Sequence, residues 1–100
     1  MVVVDSIAVT LNQTGVTTGQ AGVTLSTTGK GAVPVVLEWF TSDSPRLLGA
    51  SDGRDTVSAQ GSFTRAHAFT GAGCYWHVRA TAGGKSATSA PVWIRRCQIR

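Results

Sequence analysis

One hundred residues set the ceiling at one domain with one core. Only 14% of them are charged, 9 basic against 5 acidic for a net +4, whereas Ser and Thr number 22. That balance is short of the long side chains that build helices, which excludes a helical bundle. No apolar run approaches the roughly 18 residues that cross a bilayer, and the positive charge is too dispersed for a nucleic-acid interface.

Met1-Val2-Val3-Val4 is too short for a secretion signal and lacks a basic start. Residues 7–11 alternate apolar with small or polar side chains, the period-2 mark of a half-buried strand. Residues 12–20 form a Thr/Gly connection, and 21–26 alternate again. Thr28-Gly29-Lys30-Gly31 is a turn. Residues 33–40 are the most apolar strand, with Val35, Leu37 and Trp39 on one face and Val36, Glu38 and Phe40 on the other. Residues 43–55 read as a long loop, with an edge strand at Arg46-Leu47-Leu48 and another short strand at Thr56-Val57-Ser58. Residues 62–69 are a strand with Phe63, Arg65, His67 and Phe69 on one side and Thr64, Ala66 and Ala68 on the other.

Residues 74–80 and 91–97 are strands around Gly83-Gly84-Lys85-Ser86, a strong turn signal. Folding the chain back at Lys85-Ser86 sets residue 74 opposite residue 97, so that register brings the two sulfurs together. A Cys74–Cys97 bridge closes a ring of about 20 residues and is worth roughly 3 kcal/mol. It also points to oxidising, extracytoplasmic surroundings. Seven or so short strands with turns between them predict an all-β, antiparallel sandwich of immunoglobulin-like type, one domain over residues 1–100, with a small open barrel as the alternative.

Trp39, Phe63 to Phe69, the run Gly73-Cys74-Tyr75-Trp76-His77-Val78 and a hairpin closing at Cys97 resemble an immunoglobulin-type sandwich. With Glu38-Trp39-Phe40-Thr41-Ser42-Asp43, the pattern is similar to small immunoglobulin-like domains of exported or membrane-anchored actinobacterial proteins. The resemblance covers roughly residues 23–97 and implies a bacterial, secreted or cell-surface module. This chain departs from the antibody pattern in placing both cysteines on neighbouring strands, and Arg65 where an inward apolar residue is expected.

The chemistry-bearing residues yield no catalytic site. His67 and His77 sit mid-strand without an adjacent acid in sequence, and no Gly-x-Ser-x-Gly elbow is present. Cys74 and His77 point to opposite faces of one strand, which rules out a shared zinc ion. Asp43, Asp52 and Asp55 lack the spacing of a calcium loop. Gly83-Gly84-Lys85-Ser86 ends like a phosphate loop, but the glycine required earlier is replaced by Arg79, and a strand follows. Neither a metal nor another cofactor is expected.

What remains is a surface. Tyr75, His77 and Arg79 share one strand face, and the expected register sets Arg96 opposite Tyr75 and Ile94 opposite His77. That strip of Tyr75, His77, Arg79 and Arg96 suits a protein partner or an anionic cell-surface polymer. The expectation is a non-catalytic extracytoplasmic module for protein interaction, adhesion or domain spacing, a monomeric unit of a larger chain without membrane insertion or nucleic-acid binding. A secreted inhibitor of an extracellular hydrolase would use the 42–55 loop. A polysaccharide-binding module would need a solvent-facing tryptophan; alternation puts Trp39 and Trp76 in the core and leaves Trp93 open.

Overall fold

Strand-forming residues separated by glycine turns give eight strands. The structure, a computed structural model, describes residues 2–98. In chain order the strands are β1 (Val3–Gln13), β2 (Thr18–Thr28), β3 (Val33–Ser42), β4 (Ala50–Ala59), β5 (Phe63–Ala68), β6 (Tyr75–Ala82), β7 (Lys85–Thr88) and β8 (Val92–Trp93). One 3-10 turn, Arg95–Cys97, follows β8, and there is no α-helix among the described residues.

Two antiparallel sheets form the predicted all-β, immunoglobulin-like sandwich. One runs β1-β2-β5; the other runs β4-β3-β6-β7, with β8 also pairing β6. β7 and β8 occupy one edge position in two pieces, so eight strands fill seven places. The chain changes sheet after β2, β4 and β5, which sets neighbours in sequence against one another across the core.

The faces of β3 follow the alternation in the sequence. Val35, Leu37 and Trp39 are fully buried and join Val23, Trp76, Val78 and Ile94 between the sheets. The strand boundaries are wider than the alternation suggests. The 12–20 connection shrinks to a turn at 14–17, because backbone pairing continues to Gln13↔Gly19. The 43–55 loop is only 43–49, and Arg46-Leu47-Leu48 is not a strand. Residues 50–59 form a ten-residue edge strand whose Ser, Asp, Gly and Arg side chains hide it from a hydrophobic pattern. Its ladder to β3 supplies the order that its side chains do not.

The final hairpin turns two residues earlier than expected. Ala82 pairs Lys85, leaving Gly83 and Gly84 as a two-residue turn with φ of 54° and 79°, a conformation that suits glycine at both positions. The 91–97 segment is not a continuous strand. Ser89 accepts the Val78 N–H on its side chain at 3.0 Å and donates its own N–H to the Val78 carbonyl at 2.9 Å. The ladder then resumes one residue out of step. Tyr75 therefore lies opposite Trp93, not Arg96, and Ile94 is buried in the core rather than beside His77. The predicted bridge forms nonetheless: Cys74 and Cys97 are joined with their Cα atoms 5.8 Å apart. The 3-10 turn makes this possible by curling Cys97 back over the strand end, while the Ile94 N–H donates to the Cys74 carbonyl at 3.1 Å.

Removing the bridge by Cys74→Ala with Cys97→Ala is expected to cost about 3 kcal/mol, read as a lower urea midpoint with an unchanged slope. Gly19 is packed so tightly that an added Cβ would lie 2.9 Å from Phe69 and 3.4 Å from Trp76. Gly19→Ala is therefore expected to lower stability by about 1–3 kcal/mol in the same assay, the cost of overpacking a filled core.

Candidate functional site at the disulfide-bearing end

A sandwich of two open sheets leaves side chains between its edge strands to be satisfied, and here β4 and β5 face each other across such a gap. At a bulge in β4, Gly53 pairs Trp39 and Ser51 pairs Phe40, so Asp52 is the extra residue. Bulges re-aim side chains, and this one turns Asp52 toward the other sheet. Its carboxylate accepts from His67 Nε2 at 2.8 Å, the Thr70 N–H at 3.0 Å, the Thr70 hydroxyl at 3.1 Å and the Gly71 N–H at 2.7 Å. Burial alone would push Asp52 up, but the hydrogen bonds from His67, Thr70 and Gly71 outweigh it and hold the carboxyl below its ordinary value.

His67 is stacked flat on Trp39, with ring centroids 4.7 Å apart, and Phe69 meets both rings edge-on. Phe69 in turn stacks on Trp76 at 4.1 Å. One residue pair further along, Asp55 accepts from Trp39 Nε1 at 3.2 Å and faces Arg65 at 3.7 Å. Arg65, unexpected at an inward position, thus has its carboxylate on the opposite sheet. The Asp–His pair is invisible in the sequence because 15 residues separate its members, and it serves to join the sheets.

The four residues of the expected strip do not share one open surface. His77 is buried, only 4% exposed, and its Nδ1 has no partner. Loop 43–49 reaches it, with the Pro45 carbonyl as its polar neighbour, and burial pulls the imidazole below its ordinary value despite that contact. Arg79 is held by Glu38 at 3.0 Å and lies over the Phe40 ring, 5.2 Å from its centroid. Burial pushes Glu38 up, but bonds from Ser51 and Arg79, with the Arg54 charge beside it, keep it below the usual carboxylate value. Tyr75 is half-buried beside Trp93. Arg96 sits on the 3-10 turn rather than on a strand beside Tyr75, and its guanidinium donates to the Gly71 carbonyl at 3.4 Å.

That end gathers what the strip does not. The antiparallel connections bring the 14–17 turn, loop 43–49, loop 69–74 and the bridged C-terminal turn to one pole. Val16, Leu47 and Trp93 are the large apolar side chains exposed there. The unpaired cations Arg46, Arg95 and Arg96 belong to the same segments, because the other described arginines all face carboxylates. Sequence reasoning missed Val16, Leu47 and Arg95. A lone valine inside Thr14-Gly15-Val16-Thr17 was the available signal, since nothing in a turn needs it.

Asp52 and Asp55 stand on β4 rather than in a loop, and no group of three His, Cys, Asp or Glu side chains among the described residues is placed to hold a metal ion. No described helix is long and apolar enough to cross a membrane. Comparison with family models, curated proteins and solved structures finds no match.

Asp52→Ala would leave His67 and two backbone N–H groups without their acceptor and is expected to cost about 2–4 kcal/mol in chemical denaturation. Because Asp52 is more acidic folded than unfolded, its stabilisation is present above the ordinary carboxylate value near 3.8 and is lost as the pH falls through its lower folded value. Asp52→Asn should flatten that acid limb. His77 behaves differently: above its ordinary value of 6.5 both states are neutral, and below it the unfolded chain takes up the proton first. Urea midpoints should thus decline between pH 7.5 and 5, and His77→Leu should reduce that decline.

Proposed function

We propose that this chain is a non-catalytic, extracytoplasmic module that binds a partner through its disulfide-bearing pole. The observation that carries the reading is the Cys74–Cys97 bond, which anchors the region where, among the described residues, exposed apolar side chains and unpaired arginines coincide. A stable disulfide is a feature of oxidising compartments. The acid–histidine pair that would be the first suspect for catalysis is committed to joining the sheets: both Asp52 oxygens are occupied and His67 is stacked on Trp39. The likeness of the Trp39 and Cys74–Val78 segments to exported actinobacterial immunoglobulin-like domains agrees with this reading, as does a topology that sets the start of β1, at Val3, and the bridged turn at opposite ends of a molecule 51 Å long.

A second reading, a polysaccharide-binding module, is favoured by Trp93. It is 48% exposed, and Tyr75 is its cross-strand neighbour on the same outward face. Aromatic rings presented on a sheet suit a sugar ring.

Protein isolated from its natural host and alkylated in denaturant should take up no label until it is reduced, and then two labels. Label before reduction would overturn the extracytoplasmic assignment. For the second reading, iodide should quench Trp93 alone, since Trp39 and Trp76 are shielded. Co-sedimentation with cellulose, chitin or peptidoglycan that is abolished by Trp93→Ala would favour sugar binding over a protein partner.

A further inference from the structure

The residues at the bridged pole leave a depression of about 190 Å³ between the 14–17 turn and the 3-10 turn, lined by Gln13, Val16, Arg95 and Arg96. Its lining is almost wholly carbon. We propose that this depression binds an acidic peptide, seating one large apolar side chain of the partner against Val16 and setting flanking carboxylates on Arg95 and Arg96. The inference rests on the binding-module reading and names the chemistry of its partner.

Size points to one side chain. An apolar cavity of about 150 Å³ accepts a benzene ring, whereas sites for whole small molecules run to roughly 300–1,000 Å³. The walls are built before any partner arrives. Gln13 ties them together: its Oε1 accepts from the Arg95 N–H at 2.9 Å and its Nε2 donates to the Gly15 carbonyl at 2.8 Å. The 14–17 turn is closed by the Thr14 and Gly15 N–H groups on the Thr18 carbonyl, at 2.9 and 3.1 Å. The opposite wall is anchored by the disulfide and by the fully buried Ile94. A partner therefore meets a site that loses little freedom on binding.

Charge selects the partner. Arg95 and Arg96 are exposed and neither forms an ion pair among the described residues: Glu38, Asp52 and Asp55 are engaged elsewhere, and Asp43, on loop 43–49 at the same pole, pairs with neither. Val16, 78% exposed, has no packing role that explains it. With a net charge of +4, a second copy of this chain is a poor occupant. An acidic segment with an apolar tip is drawn to two guanidinium groups beside a carbon-lined hollow, which steer its approach and fix its orientation.

The test is an NMR titration of the oxidised, isotope-labelled protein with the peptide Ac-Asp-Glu-Phe-Glu-Asp-amide. Controls carry Ser in place of Phe, or Lys in place of each acid. Shifts should map to Gln13, Val16, Arg95 and Arg96. The Ser peptide, Val16→Ser and the pair Arg95→Glu with Arg96→Glu should each weaken binding tenfold or more, and the Lys peptide should not bind. Val16 and both arginine side chains are exposed, so these variants should keep the wild-type spectrum. An absence of shifts, shifts confined to Trp93 and Tyr75, equal binding of the Lys peptide, or a response to an anionic polysaccharide but not to the peptide would overturn the proposal. Any of these would leave the alkylation result, and with it the extracytoplasmic reading, standing on its own.

Discussion

A strand that pairs through two residues cannot by itself keep the end of a chain from fraying, and β8 is such a strand. The ladder that should have carried the chain to Cys97 is broken at Ser89, where a side-chain hydroxyl takes over a backbone contact and shifts the register by one. The Cys74–Cys97 bond restores covalently what the sheet has given up. It holds the 3-10 turn against the start of β6, buries Ile94 and fixes the positions of Trp93, Arg95 and Arg96.

The opposite requirement is met on the side where β4 faces β5. No backbone pairing joins these edges, so side chains close the gap. An aromatic series from Trp39 through His67 and Phe69 to Trp76 fills the space, and Asp55 and Asp52 hold Trp39 and His67 at one end of it. Asp52 is affordable inside because five polar hydrogen-bond contacts replace its water. The same groups also blunt the edges. A bulge with its adjoining charges on β4 and an inward arginine on β5 discourage further strands from pairing there.

Charge is partitioned along the molecule. Across the middle, Glu38 and Asp55 neutralise Arg54, Arg79 and Arg65 in short-range pairs. Such exposed pairs contribute little stability individually, but they cancel the field there. The remaining described cations lie at the ends, Lys30 and Lys85 at one pole with Asp5, and Arg46, Arg95 and Arg96 at the other with Asp43. Only the second of these poles also displays Val16, Leu47 and Trp93. Among the described residues, the opposite pole exposes a single large apolar side chain, Val3.

The sequence by itself determined the β class, the faces of β3, the inward side of β5 and the identity of the bridged cysteines. These follow from period-2 alternation, from the scarcity of helix-forming side chains and from the glycine turns, all of which are local. It did not disclose β4, whose order comes from a neighbour rather than from its own side chains. Nor did it disclose the Asp52–His67 contact, which joins residues on different sheets, or the one-residue slip at Ser89. The turn at Gly83-Gly84, two residues early, together with that slip put Trp93 rather than Arg96 beside Tyr75, while loop 43–49 buried His77. Alternation reports which way a side chain points from its own strand. Only the tertiary structure decides what lies over it, because coverage and register are set by segments distant in the chain.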